Sequence, residues 1–240
     1  MILFECKTYF HLINAINICM SNSYKDVDLI LTTDTDFSNY IEAISKSGVF
    51  KNIFSLKFGG SVFGRRYDTL TYDEQENYFR HPEKFVEAIE LNDYSDYYIG
   101  LDDSYSKLFY YYMVNQLKHT VNVHLYDEGS GSYSMNFRDR LAKDKMNHKS
   151  YGIYDFSQNI VELLLYVPEW YGCCNQKFDI NAMAKINISD SVSAVLKSIF
   201  GTISLPEQKF IYLEGGAFYD GNFSQDFDLI IYVASVLVNC

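Results

Sequence analysis

Apolar positions along the first half of the chain recur in two alternating periods. A short apolar run at 2–5 predicts a strand, and Leu12, Ile13, Ile16 and Met20 fall at helical spacing over 8–20. The run VDLILT at 27–32 predicts a second strand. Residues 37–47 carry Ile41 and Ile44 on one helical face and stop at Gly48, and 52–56 predicts a third strand. A mostly polar helix is expected over 72–91, interrupted at His81-Pro82, because proline removes a backbone donor. A fourth strand at 96–101, an apolar helix at 105–117 and a fifth strand at 121–126 follow. Strands and helices alternating at this spacing predict an α/β domain with a parallel sheet covered on both faces.

The pattern weakens after residue 130. Residues 135–147 are charged and read as helix, 160–166 are apolar and fit strand or helix, and 190–200 read as a helix ending at Gly201. Pro206 then marks a linker, followed by a strand at 209–213, Glu214-Gly215-Gly216, and an apolar helix at 227–238. This order resembles the opening of a second α/β domain. The expected domains are 1–203 and 207–240, with the second only begun, since a lone strand and helix cannot build a sheet. The chain shows no internal repeat.

Composition narrows the function classes. With 240 residues, 48% of them hydrophobic, and only three prolines, the chain can bury a sizeable core. Its net charge of −11 repels phosphate backbones, which argues against nucleic acid as a partner. A single nucleotide remains compatible, because helix N-termini hold phosphate locally. The 22 tyrosines and 18 phenylalanines fit an aromatic core, or sugar and membrane-edge contact. Cys6, Cys19, Cys173, Cys174 and Cys240 have no metal-ligand spacing, and no apolar run reaches the roughly 18 residues a membrane span needs. A reduced, cytoplasmic protein is expected, with at most peripheral contact at the inner face of the membrane.

The sharpest chemical feature is Asp127-Glu128-Gly129-Ser130-Gly131 at the end of the fifth predicted strand. Ligands of parallel sheets bind outside the carboxyl ends of strands, and glycines let backbone approach them closely. A carboxylate there could take a proton from a sugar hydroxyl. Adjacent residues on a turn point differently, so one acid would act while the other orients or caps; an ordinary turn capped by Asp127 is an equal reading. Glu214, Gly215 and Gly216 could hold phosphate at a helix N-terminus, with Asp220 nearby, or form a plain turn. Lys7 and Thr8 follow the first strand and could meet an acceptor or phosphate, although capping by Thr8 is favoured. Asp34-Thr35-Asp36 and Asp102-Asp103 read mainly as helix caps, Arg65-Arg66 as solvated loop charge, and His124 as a packed side chain.

Three of these segments resemble bacterial glycosyltransferase family 52, which includes lipooligosaccharide sialyltransferases and capsule enzymes. The start MILFECKTYFHLINAINI is similar to the family's first strand and helix, and VHLYDEGSGSYS to its acidic motif after a strand. FIYLEGGAFYDGNFSQDFDLIIYV resembles the opening of its nucleotide-binding domain. The resemblance implies a GT-B fold of two Rossmann-like domains and a CMP-sugar donor, usually CMP-sialic acid. It implies inverting transfer without a metal or other cofactor to a glycan acceptor, with Asp127, Glu128 or Asp220 as the base. Lys7, Thr8, Gly129, Ser130 and Gly131 would then face the acceptor, and Glu214, Gly215 and Gly216 the donor. The family's His-Pro motif would lie further into the second domain; His81-Pro82 is in the first, so this chain is expected to be truncated and inactive by itself. Another nucleotide sugar, a non-catalytic binding fragment and self-association stay open as alternatives.

Overall fold

Seven parallel strands are ordered β3-β2-β1-β4-β5-β6-β7. They belong to a computed structural model that describes residues 1–32, 35–56, 77, 79–86, 89–100, 104–133, 156–171, 178–186 and 190–201. The strands are β1 (Ile2–Cys6), β2 (Val27–Thr32), β3 (Asn52–Leu56), β4 (Asp96–Ile99), β5 (Asn122–Tyr126), β6 (Ile160–Leu165) and β7 (Asp179–Ala182). The described helices are α1 (Tyr9–Ser21), α2 (Ile41–Lys46), α3 (Ser104–Leu117) and α4 (Ser191–Phe200). This is a Rossmann-like α/β architecture.

Both faces of the sheet are covered, which is why the central strands read as nearly unbroken apolar runs. Phe4 and Cys6 of β1, Leu29 and Leu31 of β2 and Tyr98 of β4 pack with Leu12, Ile16 and Cys19 of α1 and Leu196 of α4. On the opposite face Leu3, Ile30, Tyr97, Ile99 and Leu125 pack with Phe109, Tyr110 and Met113 of α3. Each fully buried aliphatic or aromatic side chain here contributes about 1.5–3 kcal/mol relative to exposure. Val123 and His124 mark a register shift between β5 and β6.

Local chemistry sets the helix ends. The Thr8 hydroxyl accepts from the His11 N–H (3.1 Å), and the Asp190 carboxylate accepts from the Ser193 N–H (2.9 Å). Gly48 and Gly201 end α2 and α4 at φ values of +68° and +81°, where a side chain would be strained. The helix expected over 37–47 is shorter than predicted. The Asp36 carboxylate accepts from the Ser38 N–H (2.9 Å), and the Tyr40 N–H bonds to the Phe37 carbonyl (2.8 Å). That turn occupies the first four expected positions. Residues 160–166 resolve to a strand, β6. Pro82 opens a 3-10 turn, Pro82–Lys84, at the expected break. The edge strand β7 went unpredicted, because only Ile180 in it packs on the core.

The predicted second domain at 207–240 lies outside the described residues, and with it Glu214, Gly215, Gly216 and Asp220. So do Asp34, residues 59–66, Asp102, Asp103, the helix expected at 135–147, and Cys173, Cys174 and Cys240.

Candidate functional site

The strand order reverses between β1 and β4. From β1 the chain crosses through α1 to β2 on one face, and from β4 through α3 to β5 on the other. Ligands of open α/β sheets bind outside the carboxyl ends of the strands at such a reversal. The N-termini of α1 and α3 flank this point and favour negative charge there.

A charged residue in the apolar run of β1, Glu5, stands at the reversal and is buried. Its carboxylate accepts from the Tyr97 hydroxyl and from Ser106 Oγ (2.9 Å), and Lys7 Nζ lies 3.2 Å away. A buried ion pair survives only when further hydrogen bonds satisfy the carboxylate, and the two hydroxyls do so. The Lys7 ammonium also sits 5.5 Å from the centre of the Tyr105 ring. Lys7 is therefore at the expected edge, but buried and paired inward. Thr8 caps α1, as the alternative reading had it.

His11 joins β1 to β4 and β5. Its Nδ1 accepts from the Lys7 N–H (3.3 Å), and its ring meets Tyr126 edge-on at 5.8 Å. A Cβ on Gly100 would stand 2.6 Å from His11 Nε2, so only glycine fits where β4 ends. The Tyr126 hydroxyl donates to the Glu5 carbonyl (2.8 Å), closing the edge across β4.

At the end of β5 the two acids part company. Asp127 is fully buried: one oxygen accepts from the Gly129 N–H (2.8 Å), and the other from the Tyr133 hydroxyl and the Tyr166 N–H (3.3 Å). Its carbonyl accepts from Asn14 Nδ2 (2.6 Å), which ties the turn to α1. Burial raises the Asp127 pKa above its ordinary value, and the hydrogen bonds from Tyr133, Gly129, Tyr166 and Ser132 offset this only in part. Glu128 is half-buried at the surface of the turn, and its N–H donates to Ser132 Oγ (2.9 Å). A Cβ on Gly131 would lie 2.8 Å from Glu128 Oε1, so that glycine makes room for the carboxylate. Gly129 adopts φ +114°, and Ser130–Tyr133 forms a 3-10 turn beyond it. Of the two carboxylates, Asp127 is enclosed within the turn and Glu128 lies half-buried at its surface.

Glu5, His11 and Trp170 were not singled out in the sequence, and Tyr133 only as the end of the glycine motif. Glu5 had a visible signal, a lone acid inside an apolar strand; the others depend on packing. His124 is a packed side chain, as expected, held between Asp96 (2.9 Å) and Glu162 (2.6 Å) towards the amino end of the sheet. The Cys6 and Cys19 thiols are pushed well above their ordinary range by burial, which makes them poor nucleophiles. Among the described residues no group of His, Cys, Asp and Glu is placed to hold a metal, and no helix is long and apolar enough to cross a membrane.

Comparison of the chain with protein-family models, curated proteins and solved structures gave no match.

Proposed function

We propose that this chain is the acceptor-side Rossmann-like domain of a bacterial GT-B glycosyltransferase. It would move sialic acid from CMP-sialic acid to a cell-surface glycan, lipooligosaccharide or capsule. The observation that carries the reading is the carboxyl edge at β5. There a half-buried carboxylate, Glu128, rides on a glycine turn held rigid by the buried Asp127. The three segments that resemble glycosyltransferase family 52 supply the donor class.

In this reading Glu128 takes the proton of the acceptor hydroxyl. The acceptor oxygen forms its bond to the anomeric carbon as the bond from that carbon to the CMP phosphate oxygen breaks. The electron pair leaves with CMP, and attack from the opposite face inverts the centre. A base must lie within hydrogen-bond reach of the proton it removes, and a half-buried carboxylate at the surface of a fixed turn meets that need better than a fully buried one. Asp127 then acts as a positioning residue.

Calorimetric titration of the chain with CMP and, separately, with UDP tests the reading. Binding of CMP alone supports it. Binding of UDP alone moves the proposal to another nucleotide sugar in capsule or lipopolysaccharide assembly. Binding of neither nucleotide, with glycan still bound, replaces the enzyme by a non-catalytic binding module.

A further inference from the structure

We propose that Trp170 is the platform on which a pyranose ring of the glycan stacks, so that the sugar subsite extends from Glu128 past Tyr133 to the turn after β6. The description of that sugar as an acceptor rests on the transferase reading; the platform itself does not.

Pro168–Trp170 forms a 3-10 turn at the carboxyl end of β6. This turn splits its aromatic pair: Tyr171 is 1% exposed, while Trp170 is 47% exposed. The large exposed hydrophobics among the described residues are Tyr9, Ile41, Val161 and Trp170. Ile41 and Val161 offer no aromatic face. Tyr9 is held at its hydroxyl by the Asp36 carbonyl (2.8 Å) and packs edge-on against Phe37, Tyr40 and Phe200. Trp170 has a single described ring neighbour, Tyr133, at 5.9 Å and 70°.

That neighbour connects the indole to the acidic turn. The Tyr133 hydroxyl donates to the Asp127 carboxylate and accepts from the Val167 N–H (3.2 Å). One tyrosine thus braces the turn after β5 against the turn after β6. An indole braced in this way loses little freedom on binding, which favours affinity. Two carboxyl groups complete the surroundings: exposed Glu169 precedes Trp170, and half-buried Glu128 precedes the glycine turn.

The chemistry matches one ligand class. A pyranose presents a face of C–H bonds and a rim of hydroxyls. The negative face of an indole attracts such C–H bonds, and carboxylates accept from the hydroxyls. Galactose suits the platform best, because its axial hydroxyl leaves a continuous C–H patch on the other side of the ring. With Glu128 and Glu169 beside the indole, a neutral sugar suits this position better than an anionic one.

Trp170 is the only tryptophan in the chain, so its emission reports this position alone. Titration with lactose is expected to blue-shift and saturate that emission, with maltose weaker. Lactose binding read by saturation-transfer NMR is expected to fall about tenfold in Trp170→Ala, equivalent to ~1.4 kcal/mol. Trp170→Phe should recover part of the loss. Circular dichroism melting checks that both variants fold, and the emission of the unaltered chain needs no variant. An emission that neither lactose nor maltose changes overturns the platform, as does unchanged lactose binding in folded Trp170→Ala. The nucleotide titration decides the transferase reading separately: loss of CMP binding with a lactose response leaves the platform standing.

Discussion

The two edges of this sheet use the same residue types for different ends. At the amino edge, polar groups at or just below the surface pair with one another across the strands. Buried Asp28 accepts from Asn52 (2.9 Å), Asn92 (2.7 Å) and the Tyr94 hydroxyl (2.7 Å). His124 lies between Asp96 and Glu162, with Tyr98 stacked on its ring at 4.1 Å, and Glu162 also accepts from Asn181 (2.7 Å). These groups clamp neighbouring strands. At the carboxyl edge, the buried acids Glu5 and Asp127 form an inner layer, and outside it lie glycine turns, half-buried Glu128 and exposed Trp170. Buried polar groups must be paired wherever they occur. An edge becomes a site when a second layer of polar and aromatic groups is left facing outward on a rigid inner one.

Three variants would sharpen or break that contrast. The largest effect is expected at the outward layer: on the proposed transferase reading, Glu128→Gln in an active transferase carrying this domain should slow sialyl transfer about a hundredfold to ten-thousandfold, followed as CMP release, because the amide cannot take the proton. Its stability should change by no more than about 0.5 kcal/mol in urea unfolding. A large loss of stability instead would place Glu128 in the inner layer. Asp28→Ala should do the reverse and destabilise the fold by ~2–4 kcal/mol in the same urea assay, because the Tyr94 hydroxyl and two amides lose a buried acceptor.

The smallest expected effect is pH-dependent. A neutral imidazole has one N–H, yet both His124 nitrogens face carboxylates, so the geometry suits the imidazolium. Burial lowers the His124 pKa, but the hydrogen bonds and charges of Asp96 and Glu162 outweigh it and raise the net value above 6.5. The hydrogen bond from His124 holds Asp96 down at about 2 and lowers Glu162 from 4.5, in both cases against burial. For the raised histidine, stabilisation is full below pH 6.5 and fades as pH rises through the folded value. For the lowered acids, it is present above their ordinary values and fades as pH falls. Urea midpoints should therefore peak between pH 4.5 and 6.5, and His124→Gln should flatten the profile. The loss at the peak is expected to be about 1–2 kcal/mol after solvent screening. An unchanged profile would remove the clamp.

Much of the fold was legible because local signals agreed. The strands at 27–32 and 52–56 match β2 and β3 to the residue, since apolar runs there are bounded by Asp26, Gly48 and Lys51. The first helix was readable from Leu12 and Ile16 with Thr8 before them, and the last from Asp190 and Gly201. The start of α2 was misread because Asp36 makes a turn where helical spacing already begins. Strand β7 is only four residues long, too short for its alternation to stand out, and as an edge strand it draws its place from pairing with β6.

The site was legible only as a place. Glycines and acids after the fifth strand pointed to the carboxyl edge, because a turn leaves its mark on local sequence. Which acid is buried was not readable, since Asp127 is enclosed by Asn14, Tyr133 and Tyr166, residues drawn from other parts of the chain. The amino-acid sequence by itself determined the alternation of strands and helices, the caps and the acidic glycine turn, because each depends on neighbours a few residues apart. Only the tertiary structure decided the strand reversal that puts Glu5 and Lys7 on the same edge as that turn, the different burial of Asp127 and Glu128, and the exposure of Trp170. Those outcomes follow from contacts between distant segments, whose energies appear only once the sheet has closed.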